Sequence, residues 1–65
     1  MRDYQQRVVI ERADLSEKLE KLTQFLMGDI FAALPGDEQN RLVRQVLIMS
    51  DYRDVLDERI AVFGI

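Results

Sequence analysis

The sequence predicts an all-α fold: an antiparallel hairpin of two long helices that dimerises into a four-helix bundle. Three observations predict it. Apolar residues recur every three or four positions along two stretches of similar length. The only proline lies between those stretches, where a chain reversal belongs. The second stretch also carries more apolar surface than one neighbouring helix covers, which calls for a second contact.

A first helix is expected over about 3–27. Tyr4, Val8, Leu15, Leu19, Leu22 and Leu26 stand three, four or seven apart, and at about 100° per residue they form one stripe. No Pro or Gly interrupts them. Asp14 with Lys18 and Glu17 with Lys21 place an acid four residues before a base, the favourable order on a helix surface, worth about 0.2–0.5 kcal/mol a pair. Such pairs mark a solvated face rather than a site.

The hinge is expected over about 28–35. Gly28 suits a left-handed residue closing the first helix, and Asp29 suits the start of a further turn carrying Ile30 and Phe31. Pro35 suits the first position of the second helix, with Asp37 and Glu38 in the first turn, where carboxylates complement the helix dipole. That helix is expected over about 35–63, with Gly64 as its stop, so that residues 1–65 form a single helical-hairpin domain.

The second helix has two seams. Leu42, Val46, Met49, Leu56, Ile60 and Phe63 form the line that mates with the first helix. Ile48, Tyr52, Val55 and Val62 form another, centred roughly 120–140° away, and the first helix adds Val9, Ile10, Ala13 and Phe25 off its own main stripe. A second copy packed on this surface buries both seams, with Ile48, Tyr52, Val55, Val62 and Ile10 at the dimer interface. Arg12 and Arg53 interrupt the inner lines. Snorkelling, with apolar stems on the seam and guanidinium groups in water, is the expected arrangement. A pairing with Glu11, Asp14 or Asp57 would fix helix register more than stability.

Sixty-five residues allow one small core, worth roughly 3–5 kcal/mol without a staple. There is no cysteine or histidine, which excludes disulfides and leaves oxygen ligands alone for a metal. No cofactor and no metal site is therefore expected. With neither His nor Cys, the remaining candidates for chemistry are carboxylates, Lys18, Lys21, Tyr4, Tyr52, Ser16, Ser50 and Thr23, and nothing in their spacing builds a nucleophile with an orienting base. A non-enzymatic protein with no catalytic residues is expected. The net charge of −3, with nine basic residues scattered among twelve acids, argues against nucleic acid as a partner. No apolar run approaches the ~20 residues that span a bilayer, and the start, MRDYQQRVV, has no signal-peptide core, so a cytoplasmic protein without a membrane partner is expected.

The segments YQQRVVIERADLSEKLEKLTQFL, FAALPGDEQNRL and IMSDYRDVLDERIAVF together resemble a family of very short phage and prophage helical-hairpin accessory proteins, mostly without an assigned function. The similarity runs from Tyr4 to Phe63 and rests on helix-packing residues, so it speaks of kinship rather than chemistry. It implies a phage protein acting in the host cytoplasm by stoichiometric binding to a host protein, such as a quorum-sensing or other transcriptional regulator, a pilus motor ATPase or a defence protein. Phe31, Leu34, Arg41, Gln45 and Tyr52 are the candidate partner contacts in that reading. The alternative is an oligomeric sponge for a small signalling nucleotide in anti-phage defence. It needs clustered basic groups beside an aromatic, for which Arg53, Tyr52 and Arg59 are the candidates.

Overall fold

A computed structural model describes residues 2–64 and contains three helices: α1 over Asp3–Leu26, a single turn α2 over Asp29–Ala32, and α3 over Gly36–Ala61. The two long helices run antiparallel. Tyr4, at the start of α1, meets Phe63, just beyond the end of α3, ring edge to ring face with centroids 5.9 Å apart. Arg12 meets Asp57 in the same sense.

The spacing of the seam residues sets this register. Val8, Arg12, Leu15, Leu19, Leu22 and Leu26 alternate steps of four and three along α1, and Leu42, Val46, Met49, Arg53, Leu56, Ile60 and Phe63 do so along α3. Such steps keep one line facing a partner helix at a shallow crossing angle. The core is small. Val8, Leu15, Leu19 and Leu56 are buried, with Leu56 most enclosed, and Met49, Ile60 and Phe63 pack against Val8, Leu15 and Leu56.

The hinge differs from its sequence reading at Gly28 and Pro35. Gly28 is extended, with φ −96° and ψ 172°, and precedes α2 as its N-cap; no described glycine has positive φ. A left-handed residue is unnecessary because α1 closes on tightened bonds, Met27 N–H to Gln24 O at 3.1 Å and Gly28 N–H to Phe25 O at 3.1 Å. Pro35 is the N-cap of α3 and Gly36 its first residue; the extended Pro35 backbone, at ψ 148°, turns the chain before the helix begins. At the far end α3 stops at Ala61, ahead of Gly64. Gln39 ties hinge to helix: its side-chain N–H groups donate to Phe31 O at 2.9 Å and Ala32 O at 3.3 Å.

Of the two acid-before-base pairs on α1, Glu17–Lys21 closes at 3.1 Å, while Asp14 and Lys18 do not pair among the described residues. The hairpin is a rod of 47 × 14 × 14 Å. It exposes 5037 Å² at a mass of 7.6 kDa, against about 4,300 Å² for a typical folded monomer of that mass. Two helices side by side have no third layer to cover their flanks. Ile48, Tyr52, Val55 and Val62 consequently stay exposed, as does Ile10 on α1. None of the described helices is long and apolar enough to cross a membrane.

Candidate functional site

A two-helix rod has two flanks along which its helices meet, and side chains flanking the seam divide between them. On α3, Ser50 and Tyr52 are two residues apart and so project about 160° from one another, one onto each flank. On one flank lies a groove of about 750 Å³. Arg12, Ser16, Ser50 and Arg53 form its polar end, while Leu19, Val46 and Met27 line it towards the hinge. Thr23, Gln24 and Glu20 stand along its rim.

The antiparallel register brings the polar group together. Where Arg12 meets Asp57, one turn further along α1 and one turn back along α3 place Ser16 level with Arg53. The Arg12 Nε–H donates to Asp57 Oδ1 at 2.7 Å and an Nη2–H donates to Oδ2 at 3.4 Å, a fork that orients the guanidinium across the seam. Both side chains keep over a third of their surface in water, so the pair is screened and specifies register more than it stabilises. Asp57 is one of the three acids able to pair with these arginines on sequence grounds. Arg53, by contrast, forms no ion pair among the described residues.

The hydrogen bond from Arg12 holds the Asp57 carboxyl below the ordinary aspartate range, against the opposing cost of burial, with smaller help from the charges of Arg12 and Arg53. The same bond raises the Arg12 guanidinium, which stays charged throughout. A depressed carboxylate contributes stability that is present above its unfolded value, about 3.9, and lost as pH falls through the folded value. Acidification from pH 7 into that range is expected to lower the urea midpoint of the wild type more than that of Asp57→Asn. Parallel acid limbs for the two proteins would show that the pair carries no linkage.

Ser16 Oγ is buried and has no hydrogen-bond partner among the described residues. Thr23, two turns on, satisfies its hydroxyl by donating to Leu19 O at 2.8 Å. A buried hydroxyl without a partner costs about 1–3 kcal/mol, so Ser16 stands out in a structure this small.

The opposite flank is shallower and more apolar. Tyr52 lies beside Ile10, Arg7, Asp14 and Lys18 in one depression of about 400 Å³. Ile48 and Met49 share another with Arg41, Arg44 and Gln45, of about 260 Å³. The structure therefore separates residues that the sequence reading grouped. Tyr52 and Arg53 fall on different flanks, Arg59 does not line the groove that holds Arg53, and that groove contains no aromatic ring. The combination of Arg12, Ser16 and Ser50 with Arg53 was missed; aligning the two seams antiparallel from the hinge was the signal that would have found it. Among the five candidate partner contacts, Phe31 and Leu34 are half-buried at the hinge and Arg41 is engaged within its own helix, by Glu38 at 2.8 Å and Asp37 at 3.6 Å. Gln45 and Tyr52 lie on the shallow flank.

Comparison with protein families gives a match over residues 2–62 to the family described as Sequestin. Neither the curated proteins nor the solved structures give a match.

Proposed function

The chain belongs to the Sequestin family, and from that premise we propose that it works without catalysis, by holding a small signalling nucleotide in a stoichiometric complex. The family's name speaks of sequestration, which suits a sponge more closely than an inhibitor of a host protein. The observation that carries the reading is the groove beside the seam. Its volume falls within the ~300–1,000 Å³ of ligand sites, with cationic groups at one end and apolar side chains at the other. Such a division suits a molecule with an anionic head and a flat, weakly polar body. The thioether of Met27, with Val46, supplies the surface for a base in place of the aromatic expected from the sequence.

Sequestration differs from turnover in what comes back. Calorimetric titration with a panel of linear and cyclic nucleotides is expected to show saturable binding of at least one of them, and heating the complex should return that molecule unchanged. Recovery of a chemically altered nucleotide, or no heat from any member of the panel at millimolar concentration, would overturn this reading.

A host protein as the target is the second reading, favoured by the hinge tip, where Met27 and Ile30 are 77% and 69% exposed next to Phe31 and Leu34. Exposed apolar tips of this kind suit insertion into a partner's cleft. Both readings place the protein in the cytoplasm of a phage-bearing host, and in both the working form is a homodimer joined through the shallow flank.

A further inference from the structure

We propose that Arg12, Ser16, Ser50 and Arg53 form an oxyanion site that takes the phosphate or pyrophosphate group of a small ligand, with Asp57 as the counter-ion that this group partly displaces. The assignment rests on the sequestering function above and adds to it the residues and the chemical group recognised.

Four features converge on this corner of the groove. The first is charge. Two arginines occupy seam positions on facing helices, where almost every other seam residue is apolar, and a single carboxylate answers them. The chain has twelve acids and nine bases, so the lack of an ion pair at Arg53 among the described residues does not reflect a shortage of acids. The second is donor geometry. Arg12 spends its Nε–H and one Nη–H on Asp57, which leaves the rest of its five donors for an anion lying in the groove. Planar guanidinium groups match the spacing of phosphate oxygens and bind them in forked pairs.

The third feature is Ser16, which lines the groove and whose buried hydroxyl has no hydrogen-bond partner among the described residues. Ser50 lines the same end, and two short side chains here leave room for a tetrahedral group between the arginines. The fourth is polarity along the groove: Val46 and Met27 continue it towards the hinge with apolar surface, away from the two arginines. The phosphate is thereby confined to the Arg12–Arg53 end and the body of the ligand is directed along the helices. Tyr52 lines the opposite flank, and Ile48 and Val55, four residues before and three after it on α3, share its side, so the site stays open when that flank is occupied.

Sodium pyrophosphate and ADP, titrated into the full chain by calorimetry at low salt, test the assignment. Wild type is expected to bind both, more weakly as salt rises. Arg53→Gln is expected to lower the affinity for either by about tenfold or more, with partial recovery in Arg53→Lys, and Ser16→Ala to weaken binding without lowering the unfolding midpoint. Arg59→Gln, outside the groove, is expected to bind as wild type does. If ADP binds but Arg53→Gln and Ser16→Ala leave its affinity unchanged, the site is overturned while the nucleotide reading survives. If pyrophosphate binds through Arg53 and no nucleotide does, the site stands and the nucleotide reading falls. Absence of binding by either probe to wild type removes the site.

Discussion

Replacing Leu56 with alanine is expected to leave much of the protein unfolded at room temperature. Leu56 is 1% exposed and packs with Val8 and Leu15 at the centre of the seam. Truncating a buried leucine costs about 2–5 kcal/mol, part from lost transfer and part from the cavity left behind. A single core in a chain of this length supplies roughly 3–5 kcal/mol, so the loss is comparable to the whole. Larger proteins survive the same change because other layers share the load; here four apolar side chains are buried among the described residues, all of them along one helix–helix seam. Urea titration followed by circular dichroism, at one fixed protein concentration, checks the claim, since self-association would otherwise shift the midpoint. Leu47→Ala is the matched control. Leu47 lies on α3 but stays exposed, and surface changes of this kind fall within about 0.5 kcal/mol. Equal midpoints for Leu56→Ala and Leu47→Ala would mean that the core lies elsewhere.

Leu56 also illustrates why the helices were readable in the sequence. A buried seam leaves a periodic trace, because each apolar residue must return to the same side of its helix. The inner lines predicted from Val8 and Leu15 and from Met49, Leu56 and Ile60 are the lines that meet. Caps leave a weaker trace. Gly28 and Pro35 fall in the loop that the sequence predicts, but glycine tolerates extended as well as left-handed backbone and proline suits an N-cap as well as a first position. Residue identity alone did not choose between them.

The polar groove was harder to read because it depends on register across two helices. Arg12 and Arg53 each showed as an interruption within one helix, yet their relation to Ser16 and to one another appears once the turns are counted from the hinge. The sequence reading joined Arg53 to its neighbour Tyr52, and adjacency in sequence is a poor guide here: consecutive helical residues diverge by about 100°. Tyr52 accordingly faces Ile10 and Lys18, while Arg53 faces Arg12 and Ser16.

Val55→Glu is expected to convert a dimer into single hairpins that remain helical. Val55 is 51% exposed in the single chain and Ile48 63%, and with Tyr52, Val62 and Ile10 they make the apolar flank that the hairpin leaves uncovered. The chain exposes roughly 700 Å² more than a typical monomer of its mass, close to the ~800 Å² that each partner buries in a standard interface. In a two-fold dimer the same residue enters from both sides, so one substitution buries two carboxylates without partners. Each costs several kcal/mol when desolvated, which weakens association by a hundredfold or more. The effect on the isolated hairpin is small, because half of Val55 is already in water and glutamate is a good helix former. Light scattering across a concentration series separates the two effects: the wild type should approach twice the chain mass, and Val55→Glu should stay at the single-chain mass with its helical signal retained. A Val55→Glu protein that still dimerises with wild-type affinity would move the interface off this flank. A wild type that remains a single, stably folded chain at high concentration would leave these side chains for another partner.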